Sequence, residues 1–290
     1  MNTSGTEKRF VGRSPRFANE LLLFGQHKDV EWVTEFIFEC FGVRIGVLAT
    51  AGITLDEIRS LLPPYSKELK SGQVDRVFLV EINDTESVIF ENDFVKLRFP
   101  GAHWVADSLR GQFKYCVSQL TSERVFVHAG VVAWNDCLIL IPGAGFSGKT
   151  TLTAALVKAG ADYYSDDFAV LDKNGLVYPY PKPLSIRRKG INSGEQIDYD
   201  VSHFGGRQAI KPLPASLVVL TQYQAGARWQ PRVLTPGQGV LEIIKHTNNS
   251  LRHPQTALQV LQKVVIRAKI IQSKRGAAER AAGAILQICQ

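Results

Sequence analysis

One stretch of the sequence combines residue types that bind phosphate. Residues 143–150, Gly-Ala-Gly-Phe-Ser-Gly-Lys-Thr, match the pattern G-x-x-x-x-G-K-[ST]. In this pattern backbone N–H groups surround a phosphate chain, the lysine reaches the β- and γ-phosphates, and the hydroxyl binds Mg²⁺. Glycines at 143, 145 and 148 let the backbone approach the phosphates closely. A glycine-rich turn that matches the pattern by accident is the alternative.

The segments on both sides of this loop favour the phosphate-binding interpretation. Residues 138–141 are a continuous apolar run, which is typical of a strand buried on both faces, and residues 152–159 predict a helix. The N-terminus of such a helix adds unpaired N–H donors and a partial positive charge. We therefore expect a nucleotide to contact Gly143, Ala144, Gly145, Phe146, Ser147, Gly148, Lys149, Thr150 and Thr151.

Two adjacent carboxylates, Asp166 and Asp167, interrupt the strand-like stretch at residues 161–171. Beside a nucleotide, one of them can hold Mg²⁺ while the other accepts a proton from an attacking hydroxyl. In phosphoryl transfer the protein mostly positions groups and neutralises charge, so these acids nearly complete the set that the loop begins. The alternative is an exposed turn in which both aspartates cap backbone N–H groups.

A further candidate is His128, in the strand-like segment 124–132 that precedes the loop. A histidine there can hydrogen-bond an aspartate and shift its proton affinity. It can equally be a hydrogen-bonded structural residue. The sequence leaves both interpretations open.

The elements that must position these groups lie in the second part of the chain. We expect residues 124–290 to form the domain that carries the loop, and residues 1–123 to form a separate mixed α/β module of unknown role. In that module a capping box at Thr54 predicts a short helix to Leu62, and residues 101–121 have helical apolar spacing. Strands are predicted at 43–48, 77–82, 87–90, 95–99 and 217–220, helices at 255–271 and 277–288, and partial disorder at 1–20.

Composition indicates a globular chain and argues against a membrane protein. Of its 290 residues 45% are apolar and 21% charged, no apolar run approaches the ~20 residues of a membrane span, and the N-terminus lacks the apolar core of a signal peptide. The cysteines, Cys40, Cys116, Cys137 and Cys289, show no C-x-x-C spacing. We therefore expect neither a metal site nor a disulfide framework, Cys137 as a small core residue, and a cytoplasmic location.

The net charge of +7 is concentrated in residues 245–290, which carry eight Lys or Arg against one acid. Such a segment can attract an acidic protein, a nucleic acid or a phosphate-bearing ligand. The alternative is a helix with a solvated basic face. Because no nucleic-acid motif or aromatic interleaving accompanies the charge, a nucleic-acid partner is not expected, and a nucleic-acid-associated ATPase is kept only as an alternative function.

Four runs taken together resemble the HPr kinase superfamily, and most closely its HPr-kinase-related branch. They are His128-Ala-Gly-Val-Val, Pro142-Gly-Ala-Gly-Phe-Ser-Gly-Lys-Thr-Thr, Tyr163-Tyr-Ser-Asp-Asp-Phe-Ala-Val-Leu-Asp and Tyr178-Pro-Tyr-Pro-Lys-Pro-Leu-Ser-Ile-Arg. The motifs cover residues 125–190, and the order of elements extends the similarity to most of the chain. The spaced combination is far more specific than the loop alone.

The resemblance implies a mixed α/β N-terminal module followed by a P-loop kinase core of the HPr kinase and phosphoenolpyruvate carboxykinase type. It implies an ATP- and Mg²⁺-dependent kinase whose acceptor is a serine of a protein or peptide. It further implies Asp166 as general base, Asp167 and Thr150 as Mg²⁺ ligands, Lys149 as phosphate clamp and His128 as modulator of Asp166.

The chain departs from HPr kinases downstream of the acids. Those enzymes carry a Glu followed by Arg-Gly, and this chain has Leu184-Ser-Ile-Arg-Arg-Lys-Gly instead. Arg187 or its basic neighbours can still neutralise a transferring phosphate. Without the Glu the resemblance does not imply HPr as acceptor or the reverse phosphorolysis. A regulator that binds ATP without chemistry is the alternative function, and the last two predicted helices either cover the sheet or form a homo-oligomer contact.

Overall fold

The computed structural model describes His27 and residues 30–92, 94–187 and 196–290. The chain divides into two compact units, Met1–Val117 and Ser118–Gln290. The division falls inside a helix, Val105–Leu120, and the boundary predicted after residue 123 lies in the segment that follows this helix. Both units mix strands and helices, so the mixed α/β class is confirmed at that level. The disorder predicted for residues 1–20 lies outside the described residues.

The first unit contains a six-stranded sheet and two helices in its described part. Its elements are β1 (Thr34–Cys40), β2 (Val43–Ala49), α1 (Leu55–Ser60), β3 (Lys67–Glu68), β4 (Arg76–Ile82), β5 (Glu86–Glu91), β6 (Phe94–Pro100) and α2 (Val105–Leu120). The strand order is β3-β1-β2-β4-β5-β6, with β2 and β4 parallel and the other pairs antiparallel. Phe38 and Phe78 of the sheet meet Phe113 of α2 edge to face, with ring centroids 5.1 and 5.5 Å apart.

The capping box predicted at the start of α1 is confirmed. The Thr54 hydroxyl accepts the Glu57 N–H at 3.2 Å, and the Glu57 carboxylate accepts the Thr54 N–H at 2.7 Å. Each side chain thus accepts the backbone N–H of the other residue, and this pair of hydrogen bonds fixes Thr54 as the N-cap of the helix.

The second unit is built on a larger sheet with helices on both faces. Its strands are β7 (Val125–Trp134), β8 (Cys137–Pro142), β9 (Asp162–Ser165), β10 (Phe168–Leu171), β11 (Leu176–Tyr178), β12 (Leu184–Arg187), β13 (Gln196–Tyr199), β14 (Leu213–Tyr223), β15 (Arg232–Val233) and β16 (Lys269–Arg275). Its helices are α3 (Lys149–Lys158), α4 (Pro236–Ile244), α5 (Pro254–Arg267) and α6 (Ala278–Ile288), with a 3₁₀ turn at Val201–Phe204. None of the helices in the described ranges is long and apolar enough to cross a membrane.

The order of the main sheet is β11-β10-β7-β8-β14-β16-β15, and β9 also pairs with β7. Strand β14 is parallel to both β8 and β16, so the carboxyl ends of these three strands lie at one edge of the sheet. Strand β8 is buried on both faces: Leu138 and Leu140 pack with α4 and α5, and Ile139 and Ile141 with α3 and α6. This two-sided burial explains the continuous apolar run that predicted the strand.

The helix predicted for residues 255–271 is wrong at its C-terminal end. The helix ends at Arg267, Ala268 is extended with φ −91° and ψ 140°, and β16 begins at Lys269. Ile270 and Ile271 are buried and pair with Val218 and Val219 of β14. The burial of these two isoleucines in the sheet therefore outweighs the helical spacing of the apolar residues. Ala268 is compatible with a helix and with a strand, so it does not mark the boundary.

The expectation that Cys137 is only a small core residue is also wrong. Cys137, at the start of β8, forms a disulfide with Cys289, at the end of α6, across 152 residues of sequence. Spacing along the chain could not predict this bond, because only the fold brings the last helix to the start of β8. The disulfide removes the argument that the cysteines made for a reducing cytoplasm, and a cytoplasmic location stays a prediction.

Asn249 fixes the segment between α4 and α5 to the start of β7. Its side chain is 1% exposed. The amide nitrogen donates to the carbonyls of Thr121 at 3.0 Å and Arg124 at 2.7 Å, and the amide oxygen accepts the Phe126 N–H at 3.3 Å. Asn249→Ala would remove three hydrogen bonds to the backbone, so we expect the free energy of unfolding in urea to fall by about 3 kcal/mol.

The neighbouring asparagine supplies a matched control. Among the described residues, the Asn248 side chain makes one hydrogen bond, from its amide nitrogen to the Ser118 hydroxyl at 2.8 Å, and it is half-buried. Asn248→Ala should therefore lower the free energy of unfolding by about 1 kcal/mol or less. Equal losses in the two variants would contradict the role given to Asn249.

Candidate active site

The loop at residues 143–148 lies between the end of β8 and the start of α3. Gly148 is the N-cap of α3, and its φ of +87° favours glycine. The guanidinium of Arg275 donates to the Gly148 carbonyl at 2.6 Å, and a Cβ at position 148 would collide with that group. The positive φ is therefore the reason for glycine at this position, and a side chain there would also displace the Arg275 guanidinium that binds the loop.

Lys149 is the first residue of α3, and its side chain returns to the loop. Its ammonium donates to the Ala144 carbonyl at 2.8 Å and lies 3.2 Å from Nε2 of His128. The residue is only 7% exposed, and burial lowers the pKa of Lys149 to about 8. An anion bound at the loop would offset this desolvation, so the position favours a phosphate ligand.

His128, on β7, joins this lysine to the acid pair. Its Nδ1 lies 2.8 Å from the carbonyl oxygen of Asp167. Because a carbonyl only accepts, Nδ1 carries the proton and Nε2 accepts a hydrogen bond from the ammonium of Lys149. Burial, and then the charge of Lys149, lower the pKa of His128, which agrees with a neutral ring.

The two aspartates form the turn between β9 and β10. The hydroxyl of Ser165 accepts the N–H groups of Asp167 and Phe168, each at 3.2 Å, and the Asp167 carbonyl accepts the Ala129 N–H at 3.1 Å. Asp166 is 4% exposed. The alternative interpretation, an exposed turn capped by its aspartates, does not describe this geometry, because Ser165 caps the turn and Asp166 is buried.

The carboxylate of Asp166 has polar neighbours on more than one side. Its Oδ1 accepts from the Tyr163 hydroxyl at 3.2 Å and lies 3.4 Å from Nζ of Lys182, which is also 3.9 Å from Oδ2 of Asp167. Burial raises the pKa of Asp166; Lys182 opposes this shift, and Asp167 adds to it. A carboxylate with a raised pKa binds a proton more readily, as a general base must.

Three residues of this region escaped prediction from the sequence. Lys182 stands in the run Tyr-Pro-Lys-Pro before β12. Burial alone would lower the pKa of Lys182, but the charges of Asp167 and Asp166 outweigh burial, so this pKa is raised. The carbonyl of His246 accepts the His128 N–H at 2.7 Å, and burial, then Lys149 and His128, lower the pKa of the His246 ring. The third is Arg275. Only the fold brings these residues to the loop, although a lysine between two prolines shortly after an acid pair was an available signal.

The residues present fit a nucleotide with Mg²⁺. A Cβ built at Gly145 meets no described protein atom within 4 Å, so there is space beside the loop for a phosphate. Thr150 is close enough to Asp166 to lower the pKa of its carboxyl, so a hydroxyl oxygen and the acid pair lie near one another. The ammonium of Lys182 lies within 4 Å of the carboxylates of both Asp166 and Asp167 and adds a positive charge to the acid pair. Among the described residues no group of three or more His, Cys, Asp or Glu could hold a metal alone, so phosphate oxygens would have to complete the Mg²⁺ shell.

The structure brings together most of the residues predicted for the site. Lys149 and His128 are in contact, His128 contacts Asp167, and Thr150 lies close enough to Asp166 to lower its pKa. The ring of His128 hydrogen-bonds Lys149 and the Asp167 carbonyl, whereas the predicted role concerned Asp166. Thr151 is exposed in the first turn of α3. Arg187 ends β12, but its side chain lies outside the described part of the structure, as do the basic residues that follow it.

Comparison with known proteins adds no relative. A scan against protein-family models and a search of curated proteins found no match for this chain. The resemblance to the HPr kinase superfamily therefore rests on the sequence motifs alone, and membership of that superfamily stays a prediction.

Proposed function

We propose that this chain is an ATP- and Mg²⁺-dependent kinase that transfers the γ-phosphoryl group to a serine hydroxyl of a protein or peptide. The second unit would then be a P-loop core of the HPr kinase type. The observation that carries the proposal is the buried Asp166, which lies in the β9–β10 turn that His128 joins to the buried Lys149 of the loop. A loop that only bound a nucleotide would not need a desolvated carboxylate there.

In the proposed reaction Asp166 accepts the proton of the serine hydroxyl as its oxygen attacks the γ-phosphorus. The new O–P bond forms while the bond from phosphorus to the β–γ bridging oxygen breaks, and ADP leaves. Lys149 stabilises the charge on the transferring group. Thr150 and Asp167 would hold Mg²⁺, which supplies charge neutralisation on the phosphate oxygens when bound.

His128 has a positioning role in this proposal. Its Nδ1–H donates a hydrogen bond to the Asp167 carbonyl. Its Nε2 therefore accepts a hydrogen bond from the Lys149 ammonium and holds this ammonium at the loop. The histidine thus couples the acid turn to the phosphate clamp. This role differs from direct control of Asp166, which the resemblance implied.

The test uses the full chain with Mg²⁺-ATP labelled in the γ-phosphate. Calorimetry should detect ATP binding, and mass spectrometry should detect label on a serine-containing peptide library but not on a matched library with alanine in place of serine. Binding without transfer or hydrolysis would instead identify a nucleotide-binding regulator. Hydrolysis that requires added nucleic acid and falls steeply with salt would identify a nucleic-acid-associated ATPase. A chain that binds no ATP would contradict all three functions.

A further inference from the structure

A cavity of about 760 Å³ opens beside the loop. It is lined by residues 142–147, by the ends of β14 and β16, and by Glu242 and His246 at the end of α4. Strands β8, β14 and β16 are parallel, so the cavity lies at the carboxyl edge of the sheet, where open α/β sheets bind ligands. Its volume is that of a small-molecule site.

The strand order places the cavity and the acid pair on opposite sides of the loop. His128 on β7 and the turn between β9 and β10 lie to one side of β8, while β14, β16 and β15 follow on the other. A triphosphate bound along the loop with its terminal phosphate near Asp166 would direct its other end towards β14. That end of a nucleotide carries the sugar and the base.

Phe146 has two unfavourable features at the mouth of this cavity. Its φ is +64°, a conformation that costs a bulky residue of the order of 1 kcal/mol or more, and its side chain is 87% exposed. Strained residues of this kind concentrate at ligand sites. A flat ring stacked on the phenyl group would bury the exposed surface, and stacking tolerates any base.

The walls of the cavity carry groups that match the edge of a base. Gln222, Gln230 and Gln272 line it. The amides of Gln222 and Gln230 each offer both donors and an acceptor, and the amide of Gln272 offers its N–H donors. Gln272 is held in place by Arg232, whose Nε donates to its oxygen at 3.0 Å.

We propose that this cavity is the nucleoside subsite of the phosphate donor, with Phe146 stacked on the base and the glutamine amides hydrogen-bonded to its edge. The inference rests on the proposed function, since it assumes a nucleotide in the loop. It also gives the site a direction: the donor enters from the β14 side, and the acceptor approaches from the side of Asp166 and Lys182.

The test separates the base from the phosphates by comparing Mg²⁺-ATP with Mg²⁺-tripolyphosphate, both measured by calorimetry. Wild-type protein should bind ATP at least about tenfold more tightly than tripolyphosphate. Phe146→Ala should weaken ATP binding about tenfold and change tripolyphosphate binding less than about twofold, because the stacking surface contacts the base and not the phosphates. Phe146→Trp should retain the affinity for ATP. Phe94→Ala, which removes another highly exposed phenyl group, from the other unit, is the matched control and should change neither affinity.

Two results would overturn the proposal while leaving the proposed function in place. One is equal affinity of wild-type protein for ATP and tripolyphosphate, which would mean that the base makes no contact. The other is an equal loss of both affinities in Phe146→Ala, which would mean that the ring acts through the shape of the loop. If wild-type protein binds neither ligand, the proposed function fails as well. Gln222→Leu, at the exposed end of β14, is a second variant and should weaken only ATP binding.

Discussion

Asp166→Asn is expected to lower the rate of phosphoryl transfer about a thousandfold, while the affinity for Mg²⁺-ATP changes less than about fivefold. The amide has the shape of the carboxylate and can still accept from the Tyr163 hydroxyl and Lys182, but it cannot take a proton from serine. Because burial raises the pKa of Asp166, the wild-type rate should rise with pH through a value above 3.8. This acid limb should disappear in the variant.

Single-turnover kinetics with excess enzyme measures this rate without interference from product release. The matched control is Asp162→Asn at the start of β9, the strand that precedes the turn; its carboxylate is half-exposed and pairs with Arg207 at 3.2 Å. Its rate should stay within about twofold of wild type, because exposed ion pairs contribute little. Asp167→Asn should instead raise the Mg²⁺ concentration needed for half-maximal binding of ATP. If Asp166→Asn transferred phosphate at the wild-type rate, another group would have to be the base.

Patterns of neighbouring residues predicted those parts of the site that are continuous in the sequence. The apolar run before the loop and the helix after it are β8 and α3, and the two acids interrupt β9 and β10 as expected. Each of these signals depends on neighbours within about ten residues. Such patterns also located α1, α2 and most strands of the first unit.

What the sequence could not predict depends on contacts between distant segments. Arg275 reaches Gly148 only because β16 lies parallel to β14, and the same pairing converts the end of a predicted helix into strand. Lys182 meets the acid pair only after the chain has passed through β10 and β11. These residues carry charge, and in a basic chain their charge alone does not distinguish a buried partner of the loop from a solvated surface.

Lys149→Met is expected to stabilise the ligand-free protein by about 2 kcal/mol at pH 7 and to abolish its binding of Mg²⁺-ATP. Burial lowers the pKa of Lys149 from 10.5 to about 8, so the charged form is disfavoured in the folded state. This pKa difference between the unfolded and the folded state corresponds to a loss of about 3 kcal/mol in the free energy of unfolding at pH 7. Methionine cannot make the hydrogen bonds to Ala144 and His128, and their loss offsets about 1 kcal/mol of the stabilisation. Methionine fills a similar volume without the charge.

The dependence of this gain on pH identifies its cause. The penalty is fully present below the folded pKa of about 8, and it disappears as the pH rises towards 10.5, because the lysine is then neutral in the folded protein and loses its charge in the unfolded chain as well. The stability difference between variant and wild type, measured by urea unfolding, should therefore shrink between pH 7 and pH 10. Lys158→Met, at the exposed end of the same helix, should change stability by less than about 0.5 kcal/mol at either pH. A gain that did not vary with pH would assign the effect to packing, and a variant that still bound ATP would remove Lys149 from the phosphate site.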